Sequence, residues 1–155
     1  WMAGVIYSVP GIAFVLAAPW WARLGERWGY TTTVTVGLAA GALFTLPQAL
    51  VQSGLTMGIF RLSAGLALAA VTPGISALIA AAVPRAQRGK AFGLNQSAFN
   101  VGAMLGPLVG GVMGDRLGIR WVFPATTMLL LVAAAWCWMF VRVRIQQRRE
   151  PELSA

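Results

Sequence analysis

Residues 95–118 read NQSAFNVGAMLGPLVGGVMGDRLG, with Gly102, Gly106, Gly110 and Gly114 at every fourth position and Pro107 among them. So much glycine invites a phosphate-binding loop. A dinucleotide fingerprint, however, needs G-x-G-x-x-G behind a strand, and a P-loop needs Gly-Lys followed by Ser or Thr. Here Gly89-Lys90 is followed by Ala91. A period of four instead aligns the glycines along one stripe of a helix, and Ala98 extends that stripe by a turn. In lipid, small residues at this spacing let a neighbouring helix approach closely. Pro107 lacks a backbone donor and crowds the preceding turn, so it places a bend there. The stretch predicts a kinked, close-packed membrane helix.

Composition agrees with that reading. Of 155 residues, 58% are hydrophobic, 10% are charged and none is histidine. A soluble domain carries roughly 25% charged residues, so this chain is expected to be solvated by membrane lipid. The net charge of +8 raises the question of nucleic acid. The basic residues fall in short clusters between apolar runs, as loops facing an anionic leaflet would carry them, and no nucleic-acid partner is expected. The single cysteine, Cys137, lies in an apolar run and cannot form an internal disulfide. Neither a metal-ligand cluster nor a nucleophile-base pair stands out, so no metal, cofactor or enzymatic activity is expected.

Apolar stretches at about 1–22, 32–52, 55–83, 91–114 and 119–141 are each long enough to cross a hydrocarbon core of ~30 Å at ~1.5 Å per residue. Runs of this length without alternation exclude barrel strands. The expected fold is an all-α transmembrane bundle over residues 1–141, followed by a basic tail at 142–155. Arg23, Arg27, Arg85, Arg88, Lys90, Arg142, Arg144, Arg148 and Arg149 flank the spans on one side, and only Arg116 and Arg120 on the other. The positive-inside rule puts the first set, and the C-terminus, in the cytoplasm. Residue 1 then lies outside. The opening WMAGVIYSVPGIAFVLAAPWW has no basic n-region and does not read as a signal peptide, so the chain is expected to be the later part of a longer protein. Trp20, Trp21, Trp28 and Trp121 fall near the expected boundaries, where either an aromatic belt or core packing accounts for them.

Polar residues inside the spans are the candidates for function. Arg61 is the one basic residue well inside a span, about 9 Å from its outer end. A charge at the bilayer centre costs about 2.5–3.5 kcal/mol, and less near the edge. Snorkelling and a role in a cavity or gate both fit, with Asp115 as a candidate partner. Asn95, Gln96, Ser97 and Asn100 form the densest polar cluster, and Gln96 and Asn100 share a face. Interhelical hydrogen bonding or the wall of an aqueous path would satisfy these amides. Gln48 and Thr72, beside Pro47 and Pro73, are further candidates for that path. No Asp or Glu lies in the interior of a span, so any proton carrier is expected outside these residues.

The loop PWWARLGERWGYT at 19–31 resembles the signature G-x-L-x-D-R-x-G-R of the major facilitator superfamily, in the copy between its eighth and ninth spans. Ala22, Leu24, Glu26, Arg27 and Gly29 take the G, L, D, R and G places, while Tyr30 stands where a basic residue is usual. FRLSAG at 60–65 resembles the family's tenth span, and RGKAFGLNQSAFNVGAMLGPLVGG its eleventh. The motifs are closest to those of bacterial multidrug-efflux members and cover nearly the whole chain. The resemblance implies five of the six helices of the C-terminal bundle of a twelve-helix transporter, partnered by a missing N-terminal bundle. It also implies an inner-membrane location and proton-coupled export of small hydrophobic compounds by alternating access. The same scaffold hosts carriers of sugars, siderophores and other metabolites. A membrane assembly or sensor protein that needs only a helix bundle is the reading from another class.

Overall fold

The structure, a computed structural model, describes the backbone of residues 17–153 and the side chains of residues 17–139. All regular elements among the described residues are helical: α1 (17–28), α2 (Tyr30–Thr45), α3 (Gly54–Leu68), α4 (Val71–Ala82), α5 (Arg88–Leu117) and α6 (Val122–Leu153). Short 3₁₀ turns at Leu46–Ala49, Arg85–Gln87 and Ile119–Trp121 join them. Most of the expected first span lies outside the described residues. Gly54–Ala82, Arg85–Leu117 and Ile119–Met139 are helical, long and apolar enough to cross a membrane. α2 and the 3₁₀ turn after it would rise about 32 Å together, so the turn supplies the length that 16 α-helical residues lack.

Several boundaries differ from the expectation. Pro19 lies within α1, which continues through the supposed link to Trp28. A single residue, Gly29, then separates it from α2. Its φ of 86° and ψ of 136° form an extended conformation that a side chain disfavours. The Gly29 N–H donates to Gly25 O at 3.0 Å, closing α1, and Thr33 N–H donates to Gly29 O at 3.1 Å, opening α2. Gly118 repeats the device between α5 and α6, with φ 91° and a bond from its N–H to Gly114 O at 3.1 Å. The two sites share a sequence frame, GERWG at 25–29 and GDRLG at 114–118. At the C-terminus, the backbone of the expected tail continues α6 to Leu153.

The core centres on α2, against which α3, α4 and α6 pack. It is built from small residues: Ala42, Ala64, Ala67, Ala69, Ala70 and Gly74, with Thr33, Val34, Thr35 and Thr45. Thr33 is the largest fully buried side chain among the described residues. Apolar burial gains little when the solvent is itself apolar, and close backbone contact takes its place. A Cβ at Gly37 would lie 2.6 Å from Ala70 Cβ and 2.8 Å from Ala67 O, and one at Gly41 would lie 2.7 Å from Leu68 Cδ2. The buried threonines satisfy their hydroxyls within the helix: Thr35 Oγ1 donates to Thr31 O at 2.9 Å, and Thr45 Oγ1 to Gly41 O at 2.7 Å. Large apolar side chains such as Leu94, Phe99, Met104, Leu129 and Trp136 point outward.

The third expected span is broken. Residues 69 and 70 form a turn between α3 and α4, and both alanines are fully buried against α2. Pro73 lies in the first turn of α4, where its missing N–H is tolerated.

α5, the helix expected to be close-packed, is placed differently. It meets α4, α6 and the flanking turns yet buries none of its residues. Nothing lies within 4 Å of a Cβ built on Gly102 or Gly106. Gly110 and Gly114 approach Val122 only at 3.8 and 3.9 Å. Ala98 is exposed, and the helix continues through Pro107. Within the described chain, the close glycine contacts belong to α1 at Gly25, which meets Tyr30, to α2 at Gly37 and Gly41, and to α4 at Gly74, which meets Val34.

A candidate functional site between α2, α3 and α6

Pro47 follows the last turn of α2 and tightens the chain into the 3₁₀ turn Leu46–Ala49, with Leu50 N–H donating to Pro47 O at 3.0 Å. That turn swings Gln48 inward, to 5% exposure. Its Nε2 donates to Phe44 O at 2.9 Å, which commits one of its two amide hydrogens. Across from it, α3 presents Arg61, half-buried, and the first two turns of α6 present Phe123 and Thr126. Together with Thr45, Ala64, Gly65, Leu68 and Val122 they line a cavity of about 430 Å³. This volume falls in the range that small-molecule sites occupy, roughly 300–1,000 Å³.

The chemistry of the wall is one-sided. Thr45 and Thr126 donate their hydroxyl hydrogens to carbonyls one turn back, Thr126 Oγ1 to Val122 O at 2.8 Å, and keep lone pairs. The lining carries one cation, Arg61, and no carboxylate. The remaining surface is aliphatic or aromatic. Such a wall can hold a small amphiphile by burying its apolar body and orienting it with a few polar groups. One turn along α6 from Phe123, the buried Thr127 hydroxyl has no hydrogen-bond partner.

Of the path candidates, Gln48 and Arg61 meet here. The others do not. Asn95, Gln96 and Asn100 are exposed on α5, where Gln96 Nε2 donates to Asn100 Oδ1 at 3.1 Å. Thr72 is exposed at the start of α4. Asp115, the suggested partner of Arg61, is exposed near the end of α5 and does not line the cavity. In the loop signature, Ala22 and Leu24 are half-buried on α1, Glu26 and Arg27 are exposed, and Gly29 is the residue whose backbone the turn requires. The Tyr30 ring covers Gly25, where a Cβ would lie 2.6 Å from its Cδ1. At the place of the usual basic residue, this chain thus has a packing contact.

Sequence reading missed Ala64, Gly65 and Leu68, although they lie three, four and seven residues after Arg61 on the same helix face. Thr45 stands in the same relation to Gln48. Val122, Phe123 and Thr126 gave no such signal, because only the fold brings α6 to this wall.

Comparison with known proteins bears on the whole chain. It is 32% identical over 146 residues to the multidrug resistance protein MdtG of Erwinia billingiae (strain Eb661), covering 94% of this chain and 36% of that protein. It is 33% identical over 153 residues to the protein of the same name from Escherichia coli O1:K1 / APEC, covering 99% of this chain and 36% of the relative. The chain thus spans about a third of the length of these relatives. No solved structure matches it significantly. The sequence profile of the Major Facilitator Superfamily matches residues 2–155, and the chain belongs to that family of multi-pass membrane transporters.

Proposed function

We propose that the chain is part of the C-terminal helix bundle of a proton-coupled multidrug efflux antiporter of the cytoplasmic (inner) membrane, working by alternating access against an N-terminal bundle. Its C-terminus faces the cytoplasm, as the nine basic residues on that side favour. The observation that carries the reading is the similarity to multidrug resistance proteins along almost the entire chain. The cavity at Gln48 and Arg61 supports it, being apolar with a few polar groups inside a bundle exposed to lipid. In this reading Gln48 and Arg61 touch substrate, and the exposed amides Asn95, Gln96 and Asn100 face the aqueous path between bundles. The proton is carried by groups outside this chain, since the described spans hold no carboxylate in their interior.

The test is efflux of a panel of dyes and drugs from a pump-deficient host expressing the complete protein, with and without an uncoupler. Uncoupler-sensitive efflux is the expected result. Its absence across a diverse panel, at normal protein levels, counts against drug export and directs the search to sugars, siderophores or other metabolites. Arg61→Ala and Asn95→Ala should each lower the rate several-fold with insertion unchanged.

A further inference from the structure

The turns that close α1 and α5 are alike beyond their glycines. Set on the loop signature G-x-L-x-D-R-x-G, the α1–α2 turn supplies Ala22, Leu24, Glu26, Arg27 and Gly29, and the α5–α6 turn supplies Gly111, Met113, Asp115, Arg116 and Gly118. The second set matches four of these five places and the first set three. Both lack the basic residue that follows, having Ile119 and Tyr30 there. Backbone geometry repeats as well: ψ is 136° at Gly29 and 145° at Gly118, and each N–H donates four residues back. The residue after each glycine returns to the one that accepts this bond, Tyr30 to Gly25 and Ile119 to Gly114. Between the turns lie α2, the α3–α4 span and α5, so a chain that crosses at each presents them on opposite membrane faces.

Glu26, Arg27, Asp115 and Arg116 are all exposed, and none has a hydrogen-bond or ion-pair partner among the described residues. The last turn of a helix favours a cation and disfavours an acid, so local stability does not account for Glu26 and Asp115. Packing within the chain does not account for Asp115 either, since α5 buries none of its residues. At both faces the acid–base pair is followed by an exposed apolar residue, Trp28 or Leu117. The relatives are about three times as long as this chain, and α5 leaves its surface open to what that length supplies.

We propose that the α5–α6 turn is an outer docking element, the counterpart of the cytoplasmic loop signature: Asp115 and Arg116 pair with a basic and an acidic side chain on the part of the protein outside this chain when the outer face closes. Glu26 and Arg27 do the same at the cytoplasmic face. Rocking one bundle against the other parts one face as it joins the other, so the two turns dock alternately. This rests on the transporter reading.

The experiment uses the complete protein in membrane vesicles, with its native cysteines replaced and one reporter introduced by Leu117→Cys or Trp28→Cys. A membrane-impermeant maleimide reaches the outer turn in right-side-out vesicles and the cytoplasmic turn in inverted ones. Asp115→Asn should speed labelling of the Leu117→Cys reporter several-fold and slow that of the Trp28→Cys reporter several-fold. Glu26→Gln should do the reverse. The far turn decides, because removing a charge also alters a neighbouring thiol directly, and that effect is screened out across a bundle as tall as α5, about 45 Å. Arg116→Gln replaces Asp115→Asn if the latter fails to insert. An unchanged rate at the far turn, or a change in the same direction at both turns, overturns the docking element. Absence of transport by the unsubstituted protein would overturn the transporter reading instead, and the labelling rates would still decide the docking.

Discussion

At the scale of single residues, physical context separates positions that composition makes equal. Gly29 and Gly54 are both glycines at the start of a helix, but only Gly29 has a backbone that excludes a side chain. Gly29→Ala in the complete protein should cost about 1–3 kcal/mol, read as a lowered unfolding temperature in detergent, whereas Gly54→Ala should leave it nearly unchanged. Arg61 and Gln48 were legible in the sequence because a polar side chain in a long apolar run must be satisfied somewhere. Trp21 was legible only as an aromatic near a membrane boundary. Its partner is the Leu66 carbonyl, and no side-chain pattern reveals a carbonyl left without its helical N–H partner 45 residues away.

Helices follow from apolar run length, but their contacts do not. The runs at 91–114 and 119–141 fall within helices, while the run at 55–83 is interrupted at Ala69–Ala70 with no marker beyond Pro73. The four-residue glycine period of α5 was the loudest packing signal in the sequence. Yet the close contacts within the described chain are made by Gly25, Gly37, Gly41 and Gly74, each on α2 or against it, because α2 is the helix that others surround. Gly37→Ala should destabilise the complete protein by about 1–3 kcal/mol, since the new Cβ meets a backbone oxygen and a short side chain that cannot swing aside. Gly89→Ala, with open space around it, serves as the control and should be neutral or slightly stabilising. Gly106→Leu meets nothing in this chain. We expect it to impair transport in the complete protein with insertion intact, through a neighbouring helix that this chain does not contain. Normal transport by that variant would leave the glycine stripe without a close neighbour.

For the molecule as a whole, α5 buries none of its residues, apolar or amide, while α2, α3, α4 and α6 enclose a small-residue core. This asymmetry suits one part of a larger bundle, and the relatives are about three times as long as this chain. Composition and run length made the membrane class and the helical fold legible, because transfer from water to lipid acts on the summed side chains. The site was half legible, because a cavity between three helices depends on which faces meet. The most direct test uses inverted membrane vesicles containing the complete protein at matched levels, with an imposed proton gradient and a dye that the unsubstituted protein exports. The expected result is accumulation that collapses on adding an uncoupler and whose initial rate falls several-fold in Arg61→Ala. Accumulation that ignores the gradient, or an Arg61→Ala rate equal to that of the unsubstituted protein, would contradict a proton-coupled carrier that meets its substrate at this cavity.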